Sequence, residues 1–265
     1  MKSDQYWNTS ISNIHPDSIE IRGYSLNDLI GNVTFAEQIF LVLTGELPLP
    51  SQSKMFEAVL CASIDHGAGT PSSLAARTAI SGGATINGGV ASGLLTMGEH
   101  HGAAVENCMS LLHEIVDKSL DSNLLDDFVN DSMKSYIEIG KQVPGVGHRI
   151  HPVDPRVTRL VDIATQTGFN GVFVSTIQKI SRRLSDLKKK PLPVNIDGIT
   201  AALLCEMKFP QRLGNVVFMV SRMVGIFAQA CEEKETQKPM RHIDPICIEY
   251  KGIPARSFPK KEKND

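Results

Sequence analysis

The chain has 265 residues, enough for one large domain or two smaller ones with a sizeable buried core. Apolar residues make up 42% of the sequence and charged residues 21%, proportions typical of an ordinary soluble globular protein. The net charge of −2 gives no electrostatic reason to expect nucleic acid or an anionic membrane as the main partner.

The cysteines and the N-terminus point to the same compartment. None of the five cysteines forms a CxxC pair, so we expect reduced thiols, not a disulfide framework or a zinc site. The first ten residues, MKSDQYWNTS, contain no apolar core of a signal peptide. The longest apolar run, residues 216–230, is shorter than the ~20 residues of a membrane span and is interrupted by Arg222. The sequence therefore predicts a cytoplasmic protein without a membrane partner.

Helical periodicity dominates the chain. It first appears in residues 35–45, FAEQIFLVLTG, where apolar side chains share one face and Gly45 follows as a stop. An alternating strand pattern occurs only near residues 18–24, SIEIRGY. We therefore predict a mainly α fold. Further helices are expected over residues 104–117, 156–167, 170–187, 198–207 and 212–232.

Two segments between these helices have unusual compositions. Residues 81–103, SGGATINGGVASGLLTMGEHHGA, are rich in glycine and other small residues, which let a helix pack closely against another helix or a ligand. We expect a helix here, at a dimer interface. Residues 181–193, SRRLSDLKKKPLP, form a basic run. Such a run is usually a solvated face, but it could also meet a phosphate-bearing cofactor tail.

The loop 144–156, PGVGHRIHPVDPR, places a histidine and two arginines where glycine and proline make the backbone irregular. Loops held by a rigid scaffold often carry binding and catalytic groups. His148, Arg149 and Arg156 are therefore candidate ligand-binding groups, although a solvated surface position is the default for an arginine. Arg241 belongs to the same cationic set.

Other histidines lie in similar glycine-flanked joints. His66 follows this pattern in SIDHGAG, and so does the pair His100–His101 in GEHHGAA. Each one alone is more simply explained as a hydrogen-bonded structural histidine, but three such joints favour a shared site. Neither HExxH nor a Cys/His cluster with ligand spacing is present, so we predict no metal site.

Arg222 and Asp197 are charged groups in apolar surroundings. An unpaired buried guanidinium costs several kcal/mol, so Arg222 needs an anion, either an internal carboxylate or a carboxylate or phosphate of a ligand. Asp197, in LPVNIDGIT, could simply cap a helix over residues 198–207. Its apolar neighbours could also raise its pKa and let it move protons near neutral pH.

These segments resemble the citrate synthase superfamily over nearly the whole chain. The N-terminal motifs are RGY and GELP, and GEHHGAA is similar to the family's GPLHGG motif. PGVGHRIHPVDPR is similar to its glycine–histidine loop ending in DPR, and PVNIDG to its N-V-D segment. SRMVGIFAQACEE and PMRHIDP resemble the two C-terminal arginine motifs.

The resemblance implies roles for individual residues. His101 matches the histidine that stabilises a thioester enolate, His148 the one that handles the hydroxyl proton, and Asp197 the aspartate that exchanges a proton with the acetyl methyl group. The implied polyanion-binding set consists of His66, Arg149, Arg156, Arg222 and, from a neighbouring subunit, Arg241. Coenzyme A contacts are expected at Gly145, Val146, Gly147, Lys188, Lys189 and Lys190.

The short chain and its DHG and GHR motifs are more similar to the citryl-CoA lyase branch, including the C-terminal module of ATP-citrate lyase. This implies cleavage of (3S)-citryl-CoA to acetyl-CoA and oxaloacetate, with no permanently bound cofactor and coenzyme A thioester as substrate or product. Alternatives are a shortened citrate or 2-methylcitrate synthase and a lyase for a related 3-hydroxy-3-carboxyacyl-CoA. A further alternative, outside the enzymes, is a CoA-binding protein or a structural subunit of a citrate-cleaving complex.

The resemblance further implies a large helical domain with a smaller helical domain inserted into it. We place the large domain at residues 1–105 and 216–265 and the small domain at residues 106–215. The expected assembly is a homodimer or higher homo-oligomer with a shared active site.

Overall fold

The computed structural model describes residues 7–98, 101–102, 104–119, 124–147, 154–242 and 244–258. Helices make up most of this part of the chain, so the mainly α prediction is confirmed. They are α1 (Leu26–Leu29), α2 (Phe35–Thr44), α3 (Pro50–Ser63), α4 (Pro71–Ser81), α5 (Ile86–Leu95), α6 (Ala104–Ser119), α7 (Leu125–Glu138), α8 (Pro155–Thr167), α9 (Val172–Lys188), α10 (Ile196–Glu206) and α11 (Gly214–Thr236).

A small antiparallel sheet precedes these helices. Its strands are β1 (Ser12–His15), β2 (Ser18–Ile21) and β3 (Tyr24–Ser25), in that spatial order. In its register, Ser12 lies opposite Ile21, and Ile21 lies opposite Tyr24. The strand pairing predicted near residues 18–24 is confirmed.

The predicted helices correspond to α2, α6, α8, α9, α10 and α11, with ends that agree within a few residues. The prediction of one helix across residues 81–103 is wrong. Helix α4 ends at Ser81, a turn follows in which Gly83 has φ +98°, and α5 covers only Ile86–Leu95. A left-handed backbone at Gly83 cannot continue a right-handed helix, which is why the segment is divided.

Two hydrophobic clusters fill the interior. The larger one joins α2 and α3 to helices α6–α10 and the start of α11. The smaller one lies between α4, α5 and α11. In this smaller cluster a Cβ on Gly93 would come within 2.8 Å of the Ser72 carbonyl oxygen, so the small residues of α5 do serve close helix packing, here against α4. The division into large and small domains stays a prediction.

Helix α11 carries one of the charged groups of the site described below. With the short turn before it, this helix is long and apolar enough to cross a membrane by length and composition alone. Its contacts with α3, α4, α5 and α6 account for that apolar character. Arg222 lies in its middle and is only 2% exposed.

Candidate active site

Asp197 lies in the first turn of α10 and is not the residue that caps it. The cap is Asn195, whose side-chain oxygen accepts a hydrogen bond of 3.1 Å from the Gly198 backbone N–H. The simple capping role considered for Asp197 is therefore wrong. The Asp197 carboxylate therefore takes no part in capping α10.

The surroundings of Asp197 favour its protonated form. Its Oδ1 is buried, without a hydrogen-bond partner among the described residues. Burial raises the pKa of this carboxyl to about 6, although the positive charges of Arg222 and Arg156 act in the opposite direction. A group with that pKa can donate or accept a proton near neutral pH.

Arg156 is held by a buried carboxylate at the start of α8. Asp154, the cap of this helix, accepts hydrogen bonds from Arg156 Nε at 2.9 Å and Nη2 at 2.7 Å. The Asp154 side chain is fully buried, while that of Arg156 is 20% exposed. Arg156 Nη1 is also buried and has no partner among the described residues. The guanidinium is thus fixed along one edge and has a donor left for a ligand.

Arg222 is buried without a carboxylate in direct contact among the described residues. Its Nε donates to the Ser63 carbonyl oxygen at 2.9 Å, and its guanidinium carbon lies 4.9 Å from the centre of the Phe218 ring. Burial lowers the pKa of Arg222, and the negative charges of Asp65 and Asp197 partly offset this effect. Internal carboxylates thus act on Arg222 without touching it, and a ligand anion in direct contact stays a prediction.

Asp197, Arg156 and Arg222 therefore act on one another electrostatically from three different helices. One protonatable carboxyl and two held cations surround the start of α10. Such an arrangement can bind a ligand with several carboxylates and exchange a proton with it.

The loop before residue 148 is pressed against the same end of α10. A Cβ on Gly198 would lie 2.2 Å from the Gly145 carbonyl oxygen, so only glycine fits this approach. Asn195 donates from its backbone N–H to the Gly145 oxygen at 3.1 Å and from its side chain to the Gly147 oxygen at 2.8 Å. The described part of this loop, up to Gly147, thus lies against the residues on either side of Asp197. His148 and Arg149 themselves lie outside the described residues.

His101 is fixed by two kinds of contact. Its backbone forms a bridge with Gly98, with two N–H···O bonds of 2.8 Å. Its ring Nε2 lies 2.8 Å from the hydroxyl of Ser72, which is fully buried in α4. Phe218 lies between this turn and Arg222. Its ring contacts the Arg222 guanidinium, and a ring carbon would lie 3.3 Å from a Cβ placed on Gly102.

His66 lies in an exposed joint after α3. The neighbouring Asp65 receives a hydrogen bond from the Gly67 N–H at 3.0 Å, and its charge acts on Arg222. The structure therefore brings the His66 joint to the Arg222 side of the site.

The predicted coenzyme A residues fall into two groups, the loop 144–147 beside α10 and three lysines around the end of α9. Lys188 closes that helix, and Lys189 and Lys190 follow it, all three exposed. A cavity of about 390 Å³ opens beside them, lined by Ser181, Arg182, Ser185, Asp186, Pro191, Leu192 and Pro193. Gly147 donates its backbone N–H to the Pro193 oxygen at 2.7 Å, which connects this cavity to the loop 144–147.

Arg241 is not part of this chain's own cluster. It lies beyond the end of α11, where its Nη2 donates to Glu233 at 2.6 Å. This position agrees with a residue that serves a neighbouring subunit, a role that stays a prediction.

Sequence reasoning missed two groups that orient the predicted residues. Asp154 could have been found, because an aspartate followed by proline is a common helix start and Arg156 comes two residues later. Ser72 could not, since nothing in PSSLAAR distinguishes it from an ordinary serine near a helix N-terminus.

Comparison with known proteins identifies the framework around this site. The family described as "Citrate synthase, C-terminal domain" matches residues 48–243, about three quarters of the chain. The chain belongs to the citrate synthase family. The resemblance predicted from the motifs is thereby confirmed.

Proteins with different reactions are similar to this chain. The solved citryl-CoA lyase from Hydrogenobacter thermophilus is 40% identical, with a TM-score of 0.86 over 96% of this chain and 98% of that chain. A variant of the Methanosaeta concilii ATP citrate lyase, solved with (3S)-citryl-CoA, shares the fold at 20% identity, with a TM-score of 0.78 over 98% of this chain and 43% of that chain. Citrate synthase 2 of Bacillus subtilis (strain 168) is 26% identical over 78% of this chain and 54% of its own length. The chain spans only about a third to about half of the length of the curated relatives that it matches.

Proposed function

We propose that the protein cleaves (3S)-citryl-CoA to acetyl-CoA and oxaloacetate. The observation that carries this proposal is the similarity to the H. thermophilus citryl-CoA lyase, which extends over almost the full length of both chains. The site supports the proposal, because Arg156 and Arg222 suit the carboxylates of such a substrate, and Asp197 suits a proton transfer to carbon.

The reaction begins with removal of the proton from the tertiary hydroxyl, which we assign to His148. The bond between the carbinol carbon and the thioester methylene then breaks. Its electron pair passes to the thioester as an enolate, while the carbinol carbon becomes the ketone of oxaloacetate. His101 stabilises the enolate oxygen by donating a hydrogen bond. The Ser72 hydroxyl, 2.8 Å from its Nε2, orients the ring for this role.

Asp197 completes the cleavage by donating its proton to the enolate carbon, which becomes the acetyl methyl group. This step requires a protonated carboxyl. A pKa of about 6 keeps a usable fraction of Asp197 protonated near neutral pH, whereas an ordinary aspartate would be almost entirely ionised. In the opposite direction the ionised form is the base that removes the methyl proton.

Coenzyme A is placed between the loop 144–147 and the cavity at the end of α9. The thioester then lies near Asp197 at the start of α10. The exposed amino groups of Lys188, Lys189 and Lys190 suit the phosphates of the carrier. In the proposed assembly, Arg241 of one subunit contacts a substrate carboxylate bound to another subunit.

A citrate synthase is the second candidate. The family match and the 26% identity to B. subtilis citrate synthase 2 favour it. Both reactions share the carbon–carbon step, but a synthase also hydrolyses the thioester.

Product analysis separates the two candidates. Purified protein is incubated with (3S)-citryl-CoA, and acetyl-CoA, oxaloacetate, citrate and free CoA are quantified over time. The lyase predicts acetyl-CoA and oxaloacetate in equal amounts with little free CoA. Citrate in step with free CoA would instead assign the chain to the synthases, and intact citryl-CoA would refute both candidates.

A matched pair of histidine variants connects the products to the site. His101→Ala removes the proposed enolate donor, whereas His15→Ala changes an exposed histidine in β1. We expect a decrease in kcat of about a hundredfold or more for the first variant and none for the second.

A further inference from the structure

Glu233 is a buried carboxylate shared by two arginines near the end of α11. Its Oε2 lies 2.8 Å from Arg77 Nε and 2.6 Å from Arg241 Nη2. The Glu233 side chain is only 1% exposed, and that of Arg77 only 10%, whereas that of Arg241 is 49% exposed. A buried ion pair between α4 and α11 thus holds a third group that reaches the surface.

The backbone of Arg241 is fixed as well. Its N–H donates to the Ser81 hydroxyl at 2.7 Å, and the N–H of the preceding Met240 donates to the Ser81 carbonyl oxygen at 2.8 Å. Both bonds tie the segment after α11 to the C-terminal end of α4. Arg241 is therefore held at its backbone and at one edge of its guanidinium.

This degree of fixation is unusual for an arginine that is half exposed. Surface arginines normally keep most of their rotamer freedom, because an exposed ion pair contributes little. Here the acceptor is a buried carboxylate that cannot move toward water, and Arg77 holds it from the other side. The described contact occupies only Nη2 of Arg241, so a planar donor group is held in place with other N–H groups available.

The surroundings leave space in front of these arginines. A small cavity of about 100 Å³ lies beside Arg77 and Arg241. Its other lining residues are Thr78 and Ser81, which carry hydroxyl groups, and the apolar Ala68 and Leu74. A fixed guanidinium beside such a cavity is prepared to receive a carboxylate without losing further conformational entropy.

We propose that Glu233, itself held by Arg77, is the positioning residue of Arg241. It fixes the guanidinium in the orientation in which Arg241 binds a substrate carboxylate in a neighbouring subunit. This rests on the proposed function, which gives Arg241 that contact. Glu233 does not touch the substrate, and its effect is transmitted only through Arg241.

The adjacent glutamate offers a matched control. Glu232 also contacts Arg77, at 3.2 Å from Nη1, but it is 58% exposed and forms no described contact with Arg241. Glu233→Gln and Glu232→Gln therefore remove the same charge from the same helix turn, and only the first affects the holding of Arg241. Arg241→Gln and the double variant Glu233→Gln/Arg241→Gln complete the set.

The measurements are the steady-state constants with citryl-CoA and the Kd for citrate from titration calorimetry. We expect Glu233→Gln to raise KM and Kd about tenfold with kcat changed less than about twofold, and Glu232→Gln to leave all three near wild type. The double variant should be no worse than Arg241→Gln alone, because the two residues act as one unit. A purely structural role for Glu233 would not separate KM from kcat in this way.

Other outcomes would overturn the proposal. These are an unchanged Kd in Glu233→Gln, an effect that adds fully to that of Arg241→Gln, or equal effects of the two glutamate variants. If Glu233→Gln does not fold, Glu233→Asp replaces it. This variant keeps the buried charge but withdraws the carboxylate from Arg241 by one methylene, and the expected rise in Kd is about threefold, with no rise overturning the proposal.

Failure of the proposed function gives a different result. In that case the wild type leaves citryl-CoA intact, while the Kd for citrate still tests the positioning of Arg241. Equal citrate binding by wild type and Arg241→Gln, or no citrate binding at all, would refute the role of Glu233 independently of turnover.

Discussion

Replacement of Asp197 by asparagine should inactivate the protein and stabilise its fold. Burial raises the pKa of Asp197 from 3.8 to about 6, which means that the folded state favours the neutral carboxyl. As pH rises from 3.8 to about 6, the unfolded chain releases this proton before the folded chain does. The free energy of unfolding therefore decreases across that window and stays lower above it.

The size of the effect follows from the same two pKa values. The difference between 3.8 and about 6 corresponds to about 3 kcal/mol at pH 8 and to about half of that at pH 5. Asp197→Asn carries no ionisable group and avoids this cost. The variant should thus be more stable than wild type by about 3 kcal/mol at pH 8, with a clearly smaller gain at pH 5.

Urea unfolding at pH 5 and pH 8, followed by circular dichroism, measures this difference. Asp162→Asn, which removes an exposed carboxylate from α8, is the matched control. A destabilised Asp197→Asn variant, or a gain that is the same at pH 5 and pH 8, would refute the view that Asp197 is held in a costly protonatable state.

Two further predictions concern neighbours of the site. Ser72→Ala removes the hydroxyl that lies 2.8 Å from His101 Nε2, so kcat should decrease about tenfold with KM nearly unchanged; an unaltered kcat would mean that the serine does not orient the ring. Gly198→Ala places a Cβ 2.2 Å from the Gly145 oxygen and should reduce the free energy of unfolding by about 2 kcal/mol or more. The control is Gly88→Ala, whose Cβ would meet its nearest neighbour at 3.4 Å and which should not reduce the free energy of unfolding. If denaturant unfolding showed the same loss of stability for both variants, the close approach of the loop to α10 would be contradicted.

Sequence patterns predicted most of the helices whose buried faces are apolar, although α3 and α7 were missed. Helix α6, for example, buries Val105, Leu112 and Ile115 at helical spacing. Helix α4 was missed because its buried face includes Ser72 and Arg77, and no hydrophobic period marks such a helix. Helix α4 packs against α5 and against α11, which lies far away along the sequence, and no local pattern in α4 indicates these contacts.

The candidate site was partly predictable for a similar reason. A charged residue within an apolar helix, such as Arg222, signals its need for an anion by position alone. By contrast, Asp197 and Asn195 are two residues apart and chemically alike, so only the backbone geometry shows which one caps α10. The contact between Arg241 and Glu233 depends on how the chain turns after α11, which no local pattern specifies.

The measurement that tests the central claim most directly is cleavage of (3S)-citryl-CoA in D₂O, with mass spectrometry of the acetyl-CoA formed. Wild type should produce acetyl-CoA with one deuterium in the methyl group, in step with oxaloacetate, and Asp197→Asn should form it at a rate lower by about a thousandfold or more. Undiminished deuterated acetyl-CoA from Asp197→Asn would contradict the role of Asp197 as proton donor. Citrate and free CoA from the wild type, without acetyl-CoA, would contradict the lyase itself.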